Sequence, residues 1–442
     1  MRTFRNWLFI VAFLAGASAP ARAALEIEIT QGLESATPIA VARFGHAGSG
    51  PAPPESISAI VAANLARSGR FAPLRDLPQH PVRKEDIRWP DWRRLRVGSL
   101  VIGSIEETVR GGAREYQVAF RLFDTFTAGQ LAGQRYTGIR PDQLRWAGHQ
   151  ISDDIYYALT GEKGAFATRI AYVTETAGQE GEVVFALNVA DSDGGNPVVL
   201  RTSPDPIMSP SWSPNGSWLA YVSFEGGRSR IMMQELATGR RQEVSAFPGI
   251  NGAPAFSPEG RRLALTLSRD GSPDIYVLDL ASGELLRLTT SPDIDTEPAW
   301  APDGRTLVFT SDRSGGRPHL FRVSAAGGDK PRRLTFSGRY NARAAFSPDG
   351  SRIAFVHESE SAAGYRIAIM EVGSEKVDVL TNGILDESPT FAPNGRMILY
   401  AATDRDRSAL AAVSIDGQFR QRLSIDEAGV RDPAWSPRLA RR

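Results

Sequence analysis

The chain has 442 residues, of which 42% are hydrophobic and 23% charged, and its 51 basic and 50 acidic residues leave a formal net charge of +1. That length gives room for two or three domains with their own cores, and the balanced charge excludes a general electrostatic affinity for nucleic acid. There is no cysteine, so disulfides, thiol nucleophiles and thiolate metal sites are excluded and stability must come from core burial and closure of the architecture.

Met1 to Ala23 has the parts of a secretory signal: Arg2 and Arg5 ahead, an apolar run from Trp7 to Ala15, and Ala21-Arg22-Ala23 as a small-x-small cleavage site. The run is too short to span ~30 Å of hydrocarbon as a helix. Cleavage before Ala24 and export are therefore expected, and no later stretch is long and apolar enough to span a membrane.

Residues 24–164 read as a small α/β domain. Ile27 and Ile29 suggest a short strand and Ile39 to Phe44 another, while Ile57, Ile60, Val61 and Leu65 fall at helical spacing within Glu55 to Arg67, with Gly69 as the stop. Leu100 to Ile105, Tyr116 to Phe123 and Gln130 to Thr137 read as strands, the last two joined by a turn at Thr125 to Gly129. Pro141 to Leu159 reads as a second helix with Leu144, Ile151, Ile155 and Leu159 on one face. The cluster Arg93, Arg94 and Arg96 is compatible with phosphate binding but reads first as a solvated face.

Residues 165–442 carry a phrase that returns every 44 to 46 residues: Pro, any residue, an aromatic, Ser or Ala, Pro, an Asp, Asn or Glu, then Gly. Its aromatics are Trp212, Phe256, Trp300, Phe346, Phe391 and Trp435. Within the phrase, Ser-Pro-Asp-Gly suits a type I turn, and the first Pro is expected at the start of a strand, where it gives up no ladder bond. Four strands fit in each unit, so the repeat reads as propeller blades. Arg169 to Val173 is a second strand lacking a phrase before it, and Asp432 to Pro437 is a phrase lacking strands after it. Each end supplies what the other lacks, which predicts a six-bladed β-propeller closed by the C-terminal strand.

No catalytic set emerges. There is no Gly-x-Ser-x-Gly phrase, and His46, His80, His149, His319 and His357 show no metal-ligand or triad spacing. Two acidic phrases invite a calcium reading: Asp191-Ser192-Asp193, which also suits a turn in the first unit, and Asp293, Asp295 and Glu297 at alternate positions. Neither has the full loop with a distal Glu ligand. No cofactor is expected. Arginines 228 and 230, 313 and 317, and 405 and 407 recur after the second strand of successive units.

The signal segment, the α/β domain, the junction Phe166-Ala167-Thr168-Arg169-Ile170-Ala171-Tyr172-Val173 and the six phrases together resemble the TolB family, the periplasmic component of the Tol-Pal system of Gram-negative bacteria. The resemblance implies a non-enzymatic periplasmic adaptor that supports outer-membrane constriction at division and envelope integrity. It implies two partners, the outer-membrane lipoprotein Pal at the mouth of the propeller channel and the inner-membrane protein TolA at the N-terminal segment. Other envelope lipoproteins are further candidates, and a monomer without nucleic acid or a membrane span is expected. The N-terminal segment here is Ala24, Leu25, Glu26, Ile27, Glu28, Ile29 and Thr30, whose alternation suits a strand added either to a partner or to the edge of the first domain. The family has Asp where Ala167 stands, so a cap at the junction is not expected from that position. Loops entering the innermost strands are expected to ring the channel, which nominates Ser209, Ala253, Thr296, Glu297, Arg343, Glu387 and Asp432 as the rim for Pal. Two other classes remain open on the residues alone, a propeller-based periplasmic hydrolase or lyase and a small-ligand sensor in the channel.

Overall fold

The computed structural model describes residues 26–32, 36–47, 56–178, 181–404, 407–424 and 429–439. The expected signal segment, Ala24, Leu25 and Arg405 lie outside them.

The N-terminal domain is a mixed sheet layered on both faces. Its strands are β2 (Thr37–Val41), β3 (Gly45–Ala47), β4 (Phe71–Pro73), β5 (Ser99–Arg110), β6 (Ala113–Asp124) and β7 (Gln130–Ile139), in the order β4-β2-β5-β6-β7 with β3 paired to β5. Helix α1 (Ile57–Arg67) starts where the Ser56 hydroxyl accepts the amide of Ala59 at 3.3 Å, an N-cap that satisfies one of the unpaired first-turn donors. Helix α3 (Leu144–Thr160) stops at Gly161, which takes the left-handed φ of 72° that a C-terminal cap needs. Both helices pack on one sheet face with Val101, Val118, Phe120 and Leu122. The other face is covered by α2 (Trp89–Arg94), whose Trp92 is buried with Ala40, Leu100, Ile102 and Phe123. Six residues are too few to show a periodicity, so this helix has no signal in the pattern.

The propeller has six sheets, five of them four-stranded and one extended to five strands. The third repeat is typical, with strands Asp295–Trp300, Thr306–Ser311, His319–Ser324 and Arg332–Arg333 paired antiparallel in that order. The turn of the phrase forms as its chemistry requires: the amides of Gly216, Gly260, Gly304, Gly350 and Gly395 each donate to the carbonyl three residues back at 2.8 to 3.0 Å. The aromatics lie between blades, where the indole of Trp212 donates to the Ala434 carbonyl at 2.9 Å and that of Trp300 to the Ala255 carbonyl at 3.0 Å. The remaining blade contains β8 (Arg169–Ala177), β9 (Val183–Asp191) and β10 (Val198–Ser203), and its innermost strand is Gly429–Trp435 from the far end of the chain. The ring is closed by the C-terminal strand.

Two expectations need correction. The first Pro of each phrase does not open a strand; in Ile207–Trp212 it is the fourth residue, at a bulge where the pairing skips from Met208 to Ser211. Pro suits a bulge because it brings no N–H to leave unpaired. Strand β1 (Glu26–Gln31) is not an edge of the first domain. It pairs antiparallel with Arg420–Ser424 and makes that blade five-stranded.

The domains meet on the propeller face that carries the turns of the phrases. Arg67 of α1, itself buried, donates to the carbonyl and hydroxyl of Ser192 at 2.8 and 2.7 Å, in the turn between β9 and β10. Arg145 of α3 pairs with Asp191 and Asp193 at 3.0 and 2.5 Å. Asp153 of α3 accepts the amides of Phe166 and Ala167 at 2.9 and 3.1 Å. The junction is thus capped from the helix rather than from position 167.

Candidate functional site

The propeller face away from the N-terminal domain holds the residues nominated from the sequence, but not in loops. Ser209, Ala253, Glu297, Arg343, Ser388 and Asp432 each occupy the bulge of an innermost strand, with φ between 46° and 56°. Six equivalent non-glycine residues in left-handed conformation are an unusual and consistent feature. The left-handed residue of its blade is Ser388, not the neighbouring Glu387. A bulge re-aims its side chain, and here it brings Ser209, Glu297, Arg343, Ser388 and Asp432 around one cavity of about 150 Å³ at the channel.

The charged members of this ring satisfy one another. Arg343 pairs with Glu297 at 3.0 Å and with Asp432 at 2.9 Å, and also donates to the Ser388 hydroxyl. Backbone amides join the same belt: Ser209 donates to Asp432 at 3.1 Å and Arg343 to Glu297 at 3.1 Å, each reaching the bulge residue of another blade. Thr296 meets Thr266 across blades at 3.3 Å. Burial favours loss of the Arg343 proton, but the Glu297 and Asp432 carboxylates outweigh it and hold the guanidinium above its ordinary value. Asp432 is held below the usual carboxylate range, burial being overcome by Arg343 and by the Ser209 amide. Glu387, half-buried, lies near Tyr340 and Arg343 without an ion pair among the described residues. The ring therefore locks blades together, and with Glu387 it holds three carboxylates to one guanidinium.

Around the ring stand apolar side chains that the sequence reading did not single out. Ile250, Ile294 and Ile384 are 49%, 50% and 68% exposed, and each immediately precedes an innermost strand. Phe336, 57% exposed, lies four residues before the next one. The sequence signal for the three isoleucines was their shared place, one residue before the innermost strand.

The acidic phrases do not form a calcium loop. Asp293 accepts from Ser291 at 2.6 Å, buried Asp295 pairs with Arg313, and Glu297 belongs to the ring, so the three carboxylates serve three different partners. Among the described residues, the group close enough to share an ion is His149, Asp191 and Asp193 at the domain junction. There the Asn64 amide donates to His149 Nδ1 at 2.9 Å while holding Ser152 at 2.8 Å, which leaves the imidazole proton on Nε2, facing the carboxylates. With Arg145 on both Asp side chains, the arrangement is an ion-pair latch between domains. His319 and His357 sit in a buried network around Asn341, at 3.1 and 2.9 Å, beneath the turn that carries Phe336.

In the N-terminal segment, Ile29 packs against the cluster containing Phe419 and Leu423, and Thr30 donates to the Arg420 carbonyl at 3.3 Å. Glu26, Ile27 and Glu28 continue the same ladder, opposite Ser424, Leu423 and Arg422.

Comparison with known proteins follows the same division. Residues 25–131 match the family described as the TolB amino-terminal domain, and residues 156–439 the TolB beta propeller domain. The Tol-Pal system protein TolB of Nitrosococcus oceani is 52% identical over 444 residues, covering 99% of this chain and 100% of that one. The protein of the same name from Xanthomonas oryzae pv. oryzae is 52% identical over 417 residues, 93% of each chain. The crystal structure of TolB from Acinetobacter baumannii superposes with a TM-score of 0.84 at 39% identity, covering 93% of this chain and 100% of that one.

Proposed function

The chain belongs to the TolB family of Tol-Pal system proteins, and from that premise we propose that it is a non-enzymatic periplasmic adaptor that supports outer-membrane constriction and envelope integrity. Its propeller binds the lipoprotein Pal on the face opposite the N-terminal domain. The observation that carries this reading is the set of Ile250, Ile294, Phe336 and Ile384, exposed around a ring of net acidic character on a face that no other described part of the chain covers. Apolar anchors around a polar centre are what a specific interface requires. The belt made by Glu297, Arg343 and Asp432 is a poor place for a first test, since reversing a charge there also unpairs neighbouring blades. The double variant Ile294→Asp with Ile384→Asp leaves that belt intact. Its affinity for Pal, measured by calorimetry, is expected to fall at least tenfold with an unchanged melting temperature; unchanged affinity would refute the docking face.

The N-terminal segment is the element that engages TolA. Strand β1 is held by one ladder on the outer edge of a blade, so it can leave without opening the ring and can add to a partner sheet by the same backbone bonds. Removal of residues 24–32 is expected to abolish capture of TolA from envelope extract while Pal is still captured. Retention of TolA by the shortened chain sinks this assignment.

A further inference from the structure

The sheet of the N-terminal domain separates two surfaces. Helices α1 and α3 lie between the sheet and the propeller, while α2 covers the far face. The segment from Arg83 to Arg96 on that far side contains six basic and three acidic residues. At its end Leu95 is 43% exposed, and Phe126 of the turn between β6 and β7 is 57% exposed. The two are joined through Arg93, which donates to the carbonyls of Thr125 and Phe126, each at 3.0 Å. They share one corner of the domain, at the end of the sheet where β5 starts and β6 ends.

The cations of this corner are only partly used. Asp91 serves both Arg88 and Arg94, whose side chains remain 74% and 80% exposed. Asp124 is turned to the backbone, accepting the amides of Phe126 and Thr127 at 2.9 and 2.8 Å. Arg96 makes no ion pair among the described residues and holds φ at 54°, a conformation glycine would adopt without strain. The Arg96 side chain is exposed and follows Leu95 directly in the chain.

We propose that this corner docks on an anionic phospholipid surface, with Phe126 and Leu95 entering the headgroup layer and Arg88, Arg94 and Arg96 meeting phosphates. The combination of exposed apolar tips with surrounding arginines is that of an interfacial contact. A purely electrostatic contact with an acidic protein would make no use of the two apolar side chains. Each cation near an anionic surface raises partition roughly fivefold, so a few of them give weak, salt-sensitive attachment. The corner is remote from the propeller face bearing Ile294 and Ile384, so both can be engaged at once.

The test is co-sedimentation of the mature chain with vesicles of phosphatidylglycerol and phosphatidylcholine, against vesicles of phosphatidylcholine alone. Partition onto the anionic vesicles is expected to exceed that onto neutral ones at least tenfold at low salt and to fall as salt rises. The double variant Arg94→Glu with Arg96→Glu is expected to remove the difference, and Phe126→Ser to reduce it at least threefold, with melting temperatures unchanged. If the double variant melts early, Arg96→Gln is used and a loss of about fivefold is expected. Equal partition on both vesicle types, absence of partition, or wild-type partition by the variants overturns the proposal. So does binding that poly-glutamate displaces fully while Phe126→Ser has no effect, which would assign the corner to an acidic protein.

Discussion

At the scale of single residues, the bulge ring shows how a backbone requirement and a side-chain requirement share one position. Ala253 has φ 46° and contributes no polar group to the ring, so it bears the left-handed strain without the compensation that Arg343 or Asp432 obtains. Relief of that strain is worth about 1 kcal/mol or somewhat more, against the greater freedom of glycine in the unfolded chain. Ala253→Gly is expected to leave stability level or raise it by up to about 1 kcal/mol in urea unfolding, whereas Ala255→Gly, in the same strand and packed on Trp300 and its neighbours, is expected to lower it by about that amount. His319 makes a second residue-scale prediction. Burial first, then the nearby Arg333 and Arg317 charges, lower its pKa to about 4. Between the unfolded value near 6.5 and this folded value the unfolded chain binds the extra proton, so stability falls as pH drops through that window and levels off below it. His319→Gln should flatten the slope between pH 6 and 4 in thermal unfolding; an unchanged slope would exclude this residue as its source.

At the scale of elements, the propeller was legible because each blade is built from local turn chemistry that repeats. Ser-Pro-Asp-Gly dictates its own turn, and the aromatic two positions after the first Pro always meets the neighbouring blade. The complementarity of Arg169 to Val173 with Asp432 to Pro437 likewise foretold the pairing of Gly429–Trp435 with β8. What could not be read was pairing without a repeat. The alternation of Ile27 and Ile29 predicts a strand, yet nothing local says that its partner is Arg420–Ser424, nearly four hundred residues away. The ring residues were found by position, but their left-handed bulges were not, since Ser, Ala, Glu, Arg and Asp share no side chain that announces such a φ. Helix α2 was too short to show a period. The clasp makes the element-scale prediction: a chain ending at Ser424 loses the innermost strand of a blade, uncovers β8 and leaves the Trp212 indole without its acceptor, the Ala434 carbonyl. An unpaired inner strand has no solvent-tolerant alternative, so the truncated chain is expected to aggregate rather than to fold with five blades, as size-exclusion chromatography would show.

At the scale of the whole molecule, the two proposed contact surfaces lie at opposite ends with the domain junction between them. The exposed isoleucines and the acidic ring lie at one end, the domain junction in the middle, and the Leu95 and Phe126 corner at the other. The junction is built for rigidity, with buried Arg67 and the Arg145, Asp191 and Asp193 ion pairs joining helices to the first blade. The C-terminal segment strengthens it, because Arg438 donates to the Gly164 carbonyl and the Trp435 indole to the Thr168 hydroxyl at 2.9 Å. The same joining of chain ends sets the order of events during synthesis. The Arg169 amide donates to the Ser436 hydroxyl across 267 residues of sequence, so the ring cannot close before its final strand is available. Contacts between such distant segments are slow to find one another. Until release of the last residues the growing chain is an open arc with an unfinished sheet at its leading end, and this is the period in which holdase chaperones and proteases have access to it.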